Sequence, residues 1–201
     1  MYASDQERAF DTGTIIASKN ISSSTLATDH NHNMVEACEL LRERCFGIFD
    51  LRPQKEFKEA AKECGFEKNG SLYEFVPEGG EGLSDVKKRA KQFLDYVFES
   101  ATKNENYQKN TCNILVASHS GLLRQMSIYL LKDCRTKVPV TFECPKGEDL
   151  DKILERAWKN TAFSTFEVQV DTETNELISV ECNQYACSKH LEYEIMNACN
   201  Y

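Results

Sequence analysis

His119 is the residue of this sequence best placed to do chemistry. It follows an apolar run, Thr111-Cys-Asn-Ile-Leu-Val-Ala-Ser118, and precedes Ser120-Gly121 and a helical stretch. Ligands of open α/β sheets bind beyond the carboxyl ends of the strands, and the N–H groups that open a helix favour an anion there. Imidazole changes charge near neutral pH, so at such a junction it can exchange a proton with that anion. A histidine that only caps the following helix is the plainer alternative. Arg42-Glu43-Arg44 offers a second chemistry. A carboxylate between two guanidiniums is either a solvated ion pair or, where burial or a phosphate raises its proton affinity, a proton donor to a phosphate ester oxygen. Arg8 is the third. It falls in the first turn of a helix, where the dipole opposes its charge unless an anion lies close by.

Helical spacing over residues 6–18 predicts the helix that carries Arg8, with Asp5 as its N-cap and Ala9, Ile15 and Ile16 on its buried face. Residues 20–33 are rich in Ser, Thr, Asn and His and read as a loop. A short apolar piece, 35–41, leads into the Glu43 segment. Pro53 opens a helix that ends at Cys64, with Gly65 as its C-terminal cap. Pro77 and Gly79, Gly80 and Gly82 make a turn. A helix over 84–101 buries Val86, Ala90, Phe93, Leu94 and Val97. The run 111–118 has the pattern of a strand covered on both faces, as in a parallel sheet, and 122–131 returns to helix. Residues 163–170 and 177–182 predict a closing hairpin. The order predicts a three-layer α/β sandwich with a mainly parallel sheet, one domain over 1–201 ending in a loose tail over 186–201.

Composition narrows the partners. A chain of 201 residues with 41% hydrophobic and 28% charged residues is expected to be a soluble globular protein. The net charge of −8 argues against nucleic acid or an anionic membrane surface as partner, so a phosphate site has to be a local cluster of cations. Nine cysteines contain no C-x-x-C pair and are odd in number, which favours reduced thiols over a disulfide framework or a zinc site. The start Met-Tyr-Ala-Ser-Asp has no basic, apolar leader, and no stretch approaches the roughly 18 apolar residues of a membrane span. The expectation is an intracellular protein of the cytoplasm, with nucleus or mitochondrial surface as further compartments.

Four segments together carry a resemblance. Ala3-Ser-Asp-Gln-Glu-Arg8-Ala9 with Thr12 is similar to S-S-D-L-x-R-A-x-x-T, and Leu41-Arg-Glu43-Arg-Cys-Phe-Gly47 to L-R-E-R-x-x-G. Pro77-Glu-Gly-Gly-Glu81 with Asp85-Val86 and Arg89 is similar to P-x-G-G-E-(S/T)-x-x-D-V-x-x-R. Val116-Ala-Ser-His119-Ser-Gly121 with Arg124 is similar to V-x-S-H-G-x-x-x-R. In this order they resemble the histidine phosphatases of the phosphoglycerate-mutase superfamily. Gly79-Gly80 before Glu81 and the lead-in Asn160-Thr-Ala-Phe-Ser-Thr-Phe resemble in particular the TIGAR-type fructose-2,6-bisphosphatases. The resemblance implies phosphomonoester hydrolysis of a sugar bisphosphate through a phosphohistidine, without metal or cofactor. It makes Glu43 the acid at the leaving oxygen and His119 the stabiliser of the transferred phosphoryl group. It assigns phosphate binding to Arg8, Arg44 and Ser120, where Ser120 replaces the usual Gly and Gly82 the usual Ser or Thr. A phosphoglycerate mutase, which shares the site, is the alternative enzyme.

The family's attacking histidine lies in an R-H-G turn after the first strand, and these 201 residues contain no R-H dipeptide. His30 and His32 fall in the polar loop and His190 in the tail. The expectation is a fold that starts after the first strand and helix, a unit of about 30 residues or more. Three explanations stand: an incomplete gene model or shortened isoform of an active phosphatase, a degenerate non-catalytic binding or regulatory protein, or His119 acting alone. If the missing strand is central, its neighbours expose unpaired backbone groups.

Overall fold

Small side chains at the centre of a short parallel sheet set the geometry on which the site is built. In the computed structural model, which describes residues 1–20, 35–66, 72–103, 111–145 and 147–191, β1 (Tyr2–Ser4) pairs in parallel with β2 (Glu36–Cys38) and β3 (Val116–Ala117). The strand order is β2-β1-β3. Ala3 and Ser4 are fully buried. Helix α1 (Glu7–Asn20) lies close enough that a Cβ on Gly13 would sit 3.0 Å from the Met1 side chain and 3.1 Å from Ala3 Cβ. Ala3, Val35 and Ala117 form the core of this layer, with Met1, Phe10 and Ala17 packed on it. The buried face of α1 therefore runs through Ala9, Phe10, Gly13 and Ala17. Ile15 and Ile16, expected on that face, are exposed at 61% and 36%. Three- and four-residue steps from Ala9 reach Gly13 and Ala17, and only small residues fit so near the sheet.

Helix α2 (Gln54–Glu63) starts at Pro53 and ends where Gly65 takes φ +86°. Helix α3 (Leu83–Lys103) buries all five residues that its periodicity selects. Tyr2 meets it edge-on, with ring centroids 5.6 Å apart at Phe93. Under the Glu43 segment, Phe57 of α2 gathers the rings of Phe46, Phe49, Tyr73 and Phe75 at centroid distances of 5.0 to 6.4 Å. Such pairs contribute about 1 kcal/mol each beyond area burial. Helix α4 (Ser120–Leu131) follows His119.

The run 111–118 is strand over only two of its residues. Ile114 and Leu115 are each 39% exposed, because β3 has a ladder on the β1 side alone among the described strands. A second sheet has the order β4-β6-β5, with β4 (Val140–Phe142) parallel and β5 (Phe163–Val170) antiparallel to β6 (Leu177–Cys187). The expected hairpin is present, but β6 runs to Cys187, five residues past the expected end and two into the stretch expected to be a loose tail, because β5 supplies a ladder that far. Asp171 closes it, its carboxylate accepting from the Glu173 and Thr174 N–H groups. β4 and α5 (Leu150–Glu155), the latter capped by Asp149 accepting from Asp151 N, are additional. Leu131, Leu154 and Cys182 form the core there, and burial pushes the Cys182 thiol up to about 11.

The chain thus is α/β with a parallel sheet and flanking helices. It divides into two compact units, Met1–Tyr96 with Thr111–Gln125, and Val97–Asn110 with Met126–Tyr201. Every expected site residue is in the first. His30, His32 and residues 192–201 lie outside the described residues. Among the described residues, no helix is long and apolar enough to cross a membrane.

Candidate active site

The carboxyl end of β1 delivers Ser4, and the following turn delivers Asp5, Gln6 and Arg8. Ser4 Oγ accepts from Gln6 N at 3.2 Å and lies 3.0 Å from His119 Nε2. The hydroxyl therefore supports the start of α1, the role expected of Asp5, and at the same time holds the imidazole. His119 is buried. Burial, then the charges of Arg8 and Arg89, lower its proton affinity, while Glu43 and Asp5 oppose them. The neutral ring is thus the resting form. Between the unfolded value near 6.5 and the lower folded value, the unfolded chain binds more protons, so stability falls as pH drops through that window. The expected outcome is that this acid-side loss, read from melting temperature against pH, shrinks in His119→Gln and is unchanged above the window.

Glu43 is held by main-chain donors at both of its oxygens. Oε1 accepts from Arg44 N at 2.9 Å, and Oε2 from Gly121 N at 3.3 Å, at the start of α4. Its own N–H donates to Gln6 Oε1 at 3.3 Å, and the same oxygen accepts from Arg8 Nη2 at 3.4 Å. Gln6 thereby ties the acid to the cation. Neither Ser4 nor Gln6 stands out in the sequence, although the motif around Asp5 contains both.

Of the expected phosphate ligands, the structure separates Arg8 from Arg44. Arg44 is 5% exposed and each guanidinium nitrogen donates to a main-chain carbonyl: Nε to Glu81, Nη1 to Tyr73 and Nη2 to Phe75. Its guanidinium carbon lies over the rings of Phe46 and Phe57, 5.2 and 5.7 Å from their centroids. This arginine holds the loops together, and its donors are turned to carbonyls. An ammonium cannot span three acceptors, so Arg44→Lys is expected to lower unfolding free energy by about 3 kcal/mol, measured by urea titration. Ser120 opens α4.

A cavity of about 940 Å³ is lined by Arg8 and Glu43 together with Asp5, Arg42, Glu81 and Arg89 among others, but not by His119 or Ser120. Five acidic and four arginine residues line it, so it is not the cationic cluster that the acidic composition called for. Arg42 pairs with Asp5, through two nitrogens, and with Glu39. That pairing keeps the Asp5 carboxyl below the usual carboxylate range. Arg89 pairs with Glu81. Among the described residues Arg8 has no ion pair, which leaves it as the guanidinium available to a phosphate.

A sequence model of the family described as "Histidine phosphatase superfamily (branch 1)" matches residues 1–147. The chain is 36% identical over 161 residues to fructose-2,6-bisphosphatase TIGAR B of Danio rerio, covering 69% of this chain and 58% of that protein. It is 26% identical over 138 residues to fructose-2,6-bisphosphatase TIGAR of Bos taurus, covering 50% of each. For the Xenopus tropicalis protein of that name the figures are 25% over 228 residues, 95% of this chain and 76% of that protein. The chain thus spans 58% and 50% of the length of the first two of these relatives. Among solved structures, a mycobacterial glucosyl-3-phosphoglycerate phosphatase in complex with inorganic phosphate superposes with a TM-score of 0.58 at 17% identity, over 94% of this chain and 76% of that one. A further structure, mycobacterial hydrolase 2, gives 0.61 at 15% identity, over 100% and 76%. At such identities the structural likeness speaks for the fold.

Proposed function

The chain belongs to the histidine phosphatase superfamily, and from that premise we propose that the protein it represents is a phosphomonoester hydrolase acting on fructose 2,6-bisphosphate through a phosphohistidine. The observation that carries the reading is the Glu43 carboxylate, fixed by the Arg44 and Gly121 N–H groups within electrostatic reach of His119 and joined through Gln6 to Arg8. Arg8 holds a phosphate oxygen, by preference bidentately. Glu43 delivers a proton to the leaving sugar oxygen and then takes one from the water that hydrolyses the phosphohistidine, one group serving both steps. His119 donates to the equatorial oxygens as charge develops on them. The substrate is inferred from the names of the relatives, together with the double glycine before Glu81 and the Asn160 lead-in. The attacking histidine that the resemblance implies has no counterpart in an R-H-G setting within these residues.

A cytoplasmic setting is part of the proposal, on the ground that the nine cysteines are odd in number and contain no C-x-x-C pair. The test is hydrolysis of fructose 2,6-bisphosphate and trapping of an acid-labile phosphohistidine, on this chain and on any longer product of the same gene. Hydrolysis lost in Glu43→Gln supports the proposal, and phosphoglycerate isomerisation outpacing hydrolysis would overturn it. A second reading, a non-catalytic binding or regulatory protein, draws on the excess of acidic residues around the cavity, which opposes the binding of a phosphate there. It requires a stably folded chain without turnover, and turnover abolished by His119→Ala would end it.

A further inference from the structure

We infer that Glu81 and Arg89 form a clasp that sets the position of the Glu43 carboxylate, which makes Arg89 a positioning residue for the proton-transfer step. The inference rests on the role proposed above for Glu43. Glu43 sits in an irregular stretch between two 3₁₀ turns, Glu39–Leu41 and Gly47–Phe49, so no helix or strand ladder of its own holds it. Arg89 takes over that task. Its Nη1 donates to the Leu40 and Arg42 carbonyls at 2.8 and 2.7 Å, and Nη2 reaches the Glu43 carbonyl at 3.4 Å. The remaining donors meet Glu81 as a fork, Nε to Oε1 at 3.0 Å and Nη2 to Oε2 at 2.8 Å. Glu81 in turn accepts from Cys45 N at 2.9 Å, while its own N–H donates to the Cys45 carbonyl at 2.9 Å.

One charge pair therefore grips the main chain on both sides of Glu43. The grip is based on α3, for Arg89 lies on that helix beside the buried Val86, Ala90 and Phe93, and Glu81 stands two residues before its first residue, Leu83. Burial alone would raise the Glu81 carboxyl, but hydrogen bonds from Arg89 and Cys45 N outweigh it and keep the group ionised. Each guanidinium nitrogen of Arg89 already has acceptors, so it positions the acid and leaves phosphate binding to Arg8. A side chain locked by its own partners is what holds a reacting group to the tolerance that catalysis needs. A single ammonium in place of the fork cannot reproduce five contacts.

The experiment is amide hydrogen exchange by NMR on the 201-residue chain as wild type, Arg89→Ala, Arg89→Lys and Glu81→Gln. Exchange at Glu43, Arg44, Cys45 and Gly121 is expected to accelerate by about tenfold or more in Arg89→Ala, with intermediate values in the two conservative variants. Amides inside α3 stay unchanged. Exchange at those four amides within about twofold of wild type in both Arg89→Lys and Glu81→Gln would overturn the clasp. If Arg89→Ala fails to fold, these two variants still decide the question. In a hydrolytically active form, the clasp predicts that Arg89→Lys lowers kcat while leaving KM within about twofold, because Arg8 keeps its contacts. A longer product of the same gene without turnover would count against the proposed function, whereas the exchange result decides the clasp independently.

Discussion

If the proposed phosphatase function holds, Gly121→Ala is expected to lower kcat by about a hundredfold while leaving the fold intact. A Cβ on residue 121 would lie 2.3 Å from Glu43 Oε1 and 3.2 Å from its carboxyl carbon. No other atom is met so closely there, and the one in the way is the end of a flexible side chain. The carboxylate therefore swings aside, and it loses the Gly121 N–H bond that the start of α4 supplies. For the helix itself alanine is the better residue, by about 0.5–1 kcal/mol, since it restricts the unfolded chain more than glycine does. Stability and activity are thus expected to separate. Thermal unfolding should stay within a few degrees of wild type, or rise, while turnover collapses. KM should change little, because Arg8 and its bond to Gln6 are untouched. A variant that melts far below wild type, or that keeps its kcat, would show that Gly121 and Glu43 are not coupled in this way.

Gly47→Ala is expected to do the opposite, breaking the structure rather than a single contact. Residue 47 has φ +56°, and a Cβ there would lie 2.1 Å from the Glu78 carbonyl oxygen, 2.6 Å from Gly80 N and 2.8 Å from the Gly79 carbonyl carbon. All three are main-chain atoms, so none can turn away. The two strips of chain are also bonded to each other, by Ile48 N to Glu78 O at 3.1 Å and Glu81 N to Cys45 O at 2.9 Å. Relief of the clash has to pull these bonds apart, and the Glu81–Arg89 pair with them. Left-handed backbone alone costs a residue with a side chain about 1–2 kcal/mol, and overpacking adds about 1–3 kcal/mol or more. A loss above about 3 kcal/mol is expected, a large share of the stability of an ordinary domain. Gly65→Ala supplies the control, for it has φ +86° but nothing within 4 Å of the added Cβ. It should show the backbone cost without the clash, and urea unfolding of the two variants reads the difference. Equal losses in the two would mean that the close approach at Gly47 is unimportant.

Both predictions concern glycines in motifs whose presence is plain from the amino-acid order, and the two act for different reasons. Gly47 closes a backbone contact, whereas Gly121 leaves room for a carboxylate. Nothing in the letters L-R-E-R-x-x-G or S-H-S-G distinguishes these uses.

Much was determined by the sequence alone. The apolar spacing of α3 specified its buried face, since a helix repeats every 3.6 residues whatever it packs against. Pro53 and Gly65 bounded α2 because each restricts or permits particular backbone angles locally. The turn at Asp171 closed the hairpin by bonds within a few residues. His119 at a strand end, Glu43 between arginines and Arg8 at a helix start were all visible as chemistry, and their motif settings marked the family.

Tertiary structure alone decided what each of those side chains does. Arg42 and Arg44 are neighbours of identical type, yet one lies exposed against Asp5 and Glu39 and the other is buried against three carbonyls. Ser4 meets His119 across 115 positions of chain. The acidic residues lining the cavity arrive from four separate stretches and offset the arginines expected to make it cationic. Local propensity encodes which way a residue faces along its own element. The partner that a donor or charge finds depends on which distant loops come to rest beside it, and that is set by the packing of α3, α4 and the β1 sheet together.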